Sequence, residues 1–177
     1  MTLKQPDESA PRCFLQYRHH VAGLLVFAIL GCAGMEQVAP QDSTFEITID
    51  MVGASKDKIH DVAKIWIAEN FKSARAVIDL DDKAAGILIG NGRIAYPCSG
   101  FECFGKGNWS IGFKMRLDAR NERFRLQFSS LTLIIPPPNA SERPIALRGD
   151  LDAARGSLLA FGPQIRAAIL RERSDSF

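Results

Sequence analysis

The chain has 177 residues, of which 46% are hydrophobic, and its formal net charge at pH 7 is +2. This length is enough for one ordinary domain with a buried core. The small net charge gives no argument for nucleic acid as a partner, so we expect none.

The first distinctive stretch is short and apolar. Val21–Gly31 carries no charge and follows Arg18, His19 and His20. An apolar core of about 7–15 residues behind a basic region is typical of a signal peptide, whereas a membrane-spanning helix needs roughly 20 apolar residues. The run ends in Ile29-Leu30-Gly31-Cys32, which resembles the lipobox of bacterial lipoproteins.

The lipobox resemblance implies that residues 1–31 are a leader and that Cys32 becomes lipidated. Ala33 follows Cys32, and this resembles the default sorting of such proteins to the outer membrane. We therefore expect an outer-membrane lipoprotein that faces the periplasm and is held to the membrane by lipid on Cys32. An ordinary signal peptide, or a core helix of a cytosolic protein, remains the alternative.

After the leader, composition separates a tether from a folded domain. Residues 32–43 contain Gly, Gln and Pro without periodicity, which predicts a flexible tether. The domain then extends over residues 44–173. Its apolar patterns predict the order strand, helix, four strands, helix. The predicted strands are Thr44–Met51, Arg75–Leu80, Gly86–Ala95, Trp109–Leu117 and Arg123–Ile135, and the predicted helices are Lys56–Phe71 and one capped by Asp150.

The connections predict the sheet type and its ends. Short turns at Asp81–Lys83 and Asp118–Glu122 imply an antiparallel sheet, and two helices with one apolar stripe each imply one covered face and one open face. A phase change after Ser130 predicts a β-bulge. Asn139–Gly149 reads as loop, and Gly162-Pro163 should kink or split the last helix.

One segment resembles a known family. Ser55-Lys56-Asp57-Lys58-Ile59 is followed by Trp66, by Asn70-Phe71, by Ala76–Asp79 and by Gly86–Gly92. Together these are similar to a bacterial domain family of unknown function with a TBP-like (TATA-binding-protein-like) fold, over Phe45–Ile135. The resemblance implies an α+β domain with the order β-α-β-β-β-β-α and no established activity. A TBP-like fold does not itself imply DNA binding, because fold does not fix function.

Two cysteines remain inside the predicted domain. Cys98 and Cys103 stand close together in CSGFEC, and in an oxidising envelope such a pair favours a disulfide. Two free thiols remain possible. A metal site is disfavoured because zinc needs four ligands and neither histidine nor further cysteine is near. We expect neither a metal nor a cofactor.

The residues that could carry catalysis are few. His60 is the one histidine of the predicted domain, and its place on a helix predicts a surface position. Asp79, Asp81 and Asp82 are the densest acidic cluster, but aspartates flanking a turn usually make local hydrogen bonds. Gly90-Asn91-Gly92 lacks the third glycine and the helix of a phosphate-binding loop. We therefore expect no enzyme.

The basic side chains suggest a possible binding face. If Met115 pairs with Leu126 and Phe113 with Phe128, then Arg116 lies opposite Arg125 on the open face, with Lys114 and Arg123 nearby. Directly opposed like charges destabilise a sheet, so an acid on the first strand (Glu46 or Asp50), an anionic ligand or an envelope protein should compensate. A merely solvated polar face is the alternative.

Three functions therefore stay open from the sequence. The first is a non-enzymatic binding module that contacts an envelope protein or an anionic ligand through its open face. The second is an envelope hydrolase or enzyme accessory that uses a carboxylate pair, for which we find no converging pair of acids. The third is a structural spacer.

Overall fold

The computed structural model describes residues 36–71 and 77–174. In chain order its elements are β1 (Phe45–Asp50), α1 (Lys56–Asn70), β2 (Val77–Asp82), β3 (Ile87–Ala95), α2 (Glu102–Lys106), β4 (Ser110–Arg120), β5 (Arg123–Ile135), β6 (Ser141–Pro144), α3 (Arg148–Leu159) and α4 (Phe161–Ser174). The strands form one antiparallel sheet in the order β1-β5-β4-β3-β2. The first part of β5 pairs with β1, and the last part of β5 pairs with β6. The expected α+β class is confirmed.

The core lies between the sheet and its helices. Alternation along β4 and β5 buries one face of each strand, and α1 and α4 cover that face. Four phenylalanine rings meet there with centroids 5.3–6.2 Å apart. These rings belong to Phe71, Phe113, Phe128 and Phe161. The predicted open face is therefore the other side of the sheet.

Helix α1 begins where the sequence predicts. Ser55 Oγ accepts a hydrogen bond from the Lys58 backbone N–H at 3.3 Å, as an N-cap residue does. The Lys56 backbone N–H has a partner outside the helix, because it donates a hydrogen bond to Asn121 Oδ1 at 2.9 Å. The turn between β4 and β5 thus fixes the start of α1. The predicted apolar stripe of this helix is buried in full: Ile59, Val62, Ala63, Trp66, Ile67 and Phe71.

Two bulges set which side chains face outward. Ser130 has a φ of +53°, and the β4–β5 register shifts between Gly112 and Lys114, so the predicted bulge is confirmed. A second register shift lies between Ile78 and Leu80 on β2. Simple alternation would put Ile78 and Leu80 on one side of the strand, but the shift separates them.

The chain beyond β5 differs from the prediction. Ser141–Pro144 was expected in a loop but forms β6, whose four exposed residues give no apolar alternation. Asp150 was expected to cap the last helix, and this is wrong. Helix α3 begins at Arg148 after Leu147, and Asp150 lies buried in the first turn. The expected break near Gly162-Pro163 is found at Ala160, between α3 and α4.

The predicted leader and Cys32 lie outside the described residues, whereas most of the predicted tether lies within them. Residues 36–43 are not free of the domain. Gln37 forms a β-bridge with Leu147, the Val38 N–H donates to the Ala146 carbonyl at 2.9 Å, and Asp42 pairs with Arg148 at 2.9 Å. This segment is bound to the start of α3 and is no flexible tether there.

Candidate functional site

The open face of the sheet carries a cluster of arginines around one carboxylate. Alternation on β4 points Arg116, Asp118 and Arg120 outward, because Met115, Leu117 and Ala119 point into the core. Antiparallel pairing then sets Arg123 and Arg125 of β5 beside them. We call these four arginines and Asp118 the arginine cluster: Arg116, Asp118, Arg120, Arg123 and Arg125.

Asp118 pairs with two of the four arginines. Its carboxylate accepts hydrogen bonds from Arg116 Nε at 3.0 and 3.1 Å and from Arg116 Nη2 at 2.8 Å, and Arg125 Nη2 donates at 3.1 Å. Partial burial opposes ionisation of Asp118, but the bonds from both guanidinium groups outweigh it and lower the pKa of this carboxyl. Asp118 is therefore ionised at neutral pH.

The remaining two arginines oppose each other. Arg120 and Arg123 are directly paired across β4 and β5, next to the two-residue turn Asn121–Glu122. Both side chains are exposed, and neither forms an ion pair with a residue in the described part of the chain. Like charges directly opposite on a sheet are destabilising. The cluster thus has two guanidinium groups that are not within ion-pair distance of a described carboxylate, although Asp50 of β1 is the cross-strand neighbour of Arg123.

The predicted register was wrong by two residues. Met115 pairs with Phe128 and not with Leu126, and Arg116 lies opposite Gln127 and not Arg125. The reason is that β4 continues through Ala119 to Arg120, so the turn is shorter than the predicted Asp118–Glu122. The expected clash of like charges exists, but it falls on Arg120 and Arg123. Glu46 is the expected compensating acid of the first strand, 3.6 Å from Arg125.

A shallow depression gives access to the cluster. It encloses 380 Å³ and is lined by all four arginines, Asp118 and Thr48 of β1. A neighbouring depression beside the start of α1 is also lined by Arg120 and Arg123, together with Ser55 and Lys56. Arg120 and Arg123 can therefore be approached from both sides of the hairpin end.

Lys114, the fourth basic residue of the predicted face, lies apart from this depression. Its Nζ is 3.7 Å from Asp79 Oδ2, and Asn91 Nδ2 donates to the same oxygen at 2.7 Å. Asp81 instead faces α1, where it pairs with Lys64, and Asp82 Oδ1 accepts the Ala85 N–H at 2.9 Å. The three acids therefore have three separate sets of partners and form no carboxylate pair.

His60 is buried, not at the surface as predicted. Its side chain is 1% exposed, and the bulge in β2 turns Asp81 toward it. Asp81 Oδ1 is 3.2 Å from Nε2, and Asp61 Oδ1 is 3.5 Å from Nδ1, although neither contact is aligned as a hydrogen bond. These acids are also held by Lys64 and Lys83. The arrangement fixes α1 to the β2–β3 hairpin.

A second polar cluster was missed by sequence reasoning. Asp150 is 5% exposed and accepts hydrogen bonds from Tyr96 Oη at 2.6 Å and from Lys106 Nζ at 2.7 Å. Burial and the bond to Asp150 raise the pKa of Tyr96 to about 12. Burial alone would lower the pKa of Lys106, but bonds to Asp150, Tyr96 and Glu102 raise it. Its partners come from distant parts of the sequence, so no local pattern predicts it.

This polar cluster holds a loop closed by a disulfide. Cys98 and Cys103 are bonded, with Cα atoms 5.2 Å apart, as the sequence favoured. The loop between them continues into α2, which carries Lys106. Within the described residues, no group of three or more metal-binding side chains is found, and no helix of that part is long and apolar enough to cross a membrane.

Comparison with known proteins identifies the domain. A family model described as a domain of unknown function (DUF4468) with TBP-like fold matches residues 45–133, just over half of the chain. The chain belongs to this family. The resemblance noted at Ser55–Gly92 is thereby confirmed. The DUF4468 region extends from β1 into β5, so it includes the arginine cluster and the disulfide loop, whereas β6, α3 and α4 follow it.

Solved structures share the fold. A TBP-like protein from Parabacteroides distasonis is similar with a TM-score of 0.58 at 15% identity, covering 78% of this chain and 97% of that one. A DUF4468 family protein from Bacteroides ovatus has a TM-score of 0.50 at 14% identity, covering 72% and 83%. No curated protein is similar in sequence. At these identities the likeness establishes the TBP-like fold alone.

Proposed function

We propose that this protein is a non-enzymatic binding module of the bacterial envelope whose arginine cluster receives an anionic group of a partner. The observation that carries the proposal is the direct pairing of Arg120 with Arg123. A sheet gains nothing from opposing two like charges at its surface. An anion between them would remove that repulsion.

The chemistry of the cluster fits a phosphate or carboxylate. Guanidinium groups bind both through paired N–H donors, and such charge-assisted bonds are stronger than neutral ones. Asp118 already occupies Arg116 and Arg125, which leaves Arg120 and Arg123 to bind. The depression of 380 Å³ is open and shallow, so it suits one group displayed by a larger partner.

The lipid anchor is the second part of this proposal. It is supported by the lipobox-like Ile29-Leu30-Gly31-Cys32 behind an apolar run. Outer-membrane attachment through Cys32 would set the domain in the periplasm. Cys32→Ser should then release the protein from the membrane fraction. If the variant sediments with membranes as the wild type does, the anchor is refuted and the binding proposal is unaffected.

Anion binding can be measured directly on the protein. In two-dimensional NMR, inorganic phosphate should shift the amide signals of residues 118–125, and Arg120→Gln with Arg123→Gln should abolish these shifts. Arg166→Gln is the matched control, because Arg166 is an exposed arginine on α4. Shifts that persist in the double variant, or that are lost equally in the control, contradict the proposed site.

A further inference from the structure

Two phenylalanines stand exposed at one end of the domain. Phe101 and Phe104 are 89% and 88% exposed, and their ring centroids are 5.6 Å apart. Large apolar side chains are usually buried, so an adjacent pair exposed to water indicates a surface that binds a protein or a membrane. Neither residue contributes to the core or to the arginine cluster.

The segment that carries the rings is firmly held. The bond between Cys98 and Cys103 closes it on one side. On the other side, Lys106 binds Glu102 at 2.9 Å and Asp150 at 2.7 Å. A fixed loop loses little conformational entropy when its side chains enter a new environment.

Phe104 shares a groove with apolar side chains and with Asn108 and Asn139. Phe104 lines a groove of 280 Å³ together with Trp109, Ile135 and Pro136–Pro138. Within the loop, Glu102 pairs with Lys106 at 2.9 Å, and Lys106 also pairs with Asp150 at 2.7 Å. We call this surface the phenylalanine loop, defined as residues 98–109. Its exposed aromatic side chains match the interface of a lipid bilayer, where such residues insert.

The place where the described chain begins favours lipid as the occupant of the phenylalanine loop. Asp150, which binds the loop through Lys106, lies in the first turn of α3. The same turn holds the beginning of the described chain, because the Arg148 N–H donates to the Glu36 carbonyl at 2.7 Å. Cys32 precedes Glu36 by four residues, which span about 14 Å at most.

We propose that the phenylalanine loop docks on the membrane surface through Phe101 and Phe104. This inference rests on the proposed lipid at Cys32. Because a fully acylated cysteine retains the protein by itself, the loop's role is to orient the domain. One end of the domain then faces the bilayer, and the rest of it faces the periplasm.

Tryptophan quenching tests this docking. The acylated protein is reconstituted in vesicles of phosphatidylethanolamine and phosphatidylglycerol whose acyl chains carry bromine, which quenches tryptophan at short range. Phe104→Trp is made together with Trp109→Phe, because Trp109 belongs to the loop. Its emission should be quenched well beyond that of Trp109→Phe alone, which supplies the background from Trp66. Val52→Trp is the matched control, because Val52 is 80% exposed and lies beside the β4–β5 turn, away from the loop.

The outcomes separate the explanations. Quenching of Phe104→Trp alone supports docking. Adding Phe101→Ser should then weaken that quenching, because the ratio of docked to undocked loop falls roughly tenfold when one exposed aromatic side chain no longer contributes its transfer energy. No quenching at either site overturns the proposal, as does equal quenching at both. Shielding of Phe104→Trp only in native envelopes, and not in protein-free vesicles, assigns the loop to a protein partner and also overturns it.

Failure of the anchor is recognised separately. If Cys32→Ser fractionates like the wild type, the lipid is absent, and the protein is added to the same vesicles from solution. Quenching of Phe104→Trp there still supports lipid docking by the loop, and its absence there refutes it.

Discussion

The two arginine pairs of the cluster should respond oppositely to neutralisation. Arg120→Gln with Arg123→Gln removes a directly opposed like-charge pair, and we expect the free energy of unfolding to rise by about 0.2–1 kcal/mol. Arg116→Gln with Arg125→Gln instead deprives the largely buried Asp118 carboxylate of its donors. This should lower the free energy of unfolding by about 1–2 kcal/mol, allowing for the partial exposure of both arginines.

The two double variants should also differ in how their stability depends on salt. The repulsion between Arg120 and Arg123 acts through solvent. The increase in unfolding free energy of the Arg120→Gln, Arg123→Gln variant should therefore shrink as salt rises from about 0.1 M toward about 1 M, where the screening length is roughly 3 Å. The loss in the Arg116 and Arg125 variant should fade less, because Asp118 is mostly shielded from solvent.

Urea unfolding at both salt concentrations measures these differences, with Arg166→Gln as a control for loss of one surface charge. The register predicted from sequence would give the opposite result, because it opposes Arg116 to Arg125. The account of the cluster is refuted if the Arg116 and Arg125 variant is more stable than the wild type. It is also refuted if the free energy of unfolding changes in the same direction in both double variants.

Three further predictions concern single features of the fold. Gly92→Ala should cost about 1–3 kcal/mol in urea unfolding, because its Cβ would overlap the Phe113 ring, whereas Gly156→Ala, which meets open space on α3, should stabilise by up to about 1 kcal/mol. The pKa of Asp118 is lowered in the folded state. Its ionised form therefore contributes fully to the free energy of unfolding above the ordinary pKa of 3.8, and this contribution is lost as pH falls through the folded-state pKa. Asp118→Asn should therefore be less stable than the wild type at neutral pH and converge with it in acid, as followed by circular dichroism. Cys98→Ser with Cys103→Ser should cost roughly 2 kcal/mol and speed amide exchange in residues 98–109 while leaving the exchange of β4 unchanged.

Local patterns predicted the parts of the fold whose cause is local. Helix α1 has its cap at Ser55 and its apolar stripe within one segment, and its bounds agree with the structure to a residue. The bulge at Ser130 was visible because the alternation changes phase there. A glycine inside a strand often marks a close approach of another group, and at Gly92 that group is the ring of Phe113.

Features that depend on distant contacts were not predictable. The β4–β5 register is fixed where Glu122 binds the backbone of Met51 and Ala54, a contact between separate hairpin and loop segments. The alternation does continue through Ala119, and this signal could have placed the turn correctly. Asp150 and Lys106 are 44 positions apart, and His60 is buried only because a bulge in β2 turns Asp81 toward it. No local periodicity encodes these contacts.

The two proposed surfaces lie at opposite ends of one strand, and this predicts which anion the arginine cluster meets. Strand β4 begins next to the phenylalanine loop at Ser110 and ends at Arg120, a length of about 33 Å at the usual rise per residue. If the loop rests on the bilayer, the cluster stands away from it by up to that distance. Lipid headgroups are then out of reach, and the anion would belong to a partner away from the bilayer. Val52→Trp reports on the cluster's end of the molecule, because the neighbouring Gly53 N–H donates to Glu122 in the β4–β5 turn. It should stay unquenched in brominated vesicles. Quenching equal to that of Phe104→Trp would mean that the domain lies flat on the bilayer, and a lipid phosphate would then be the simpler ligand of Arg120 and Arg123.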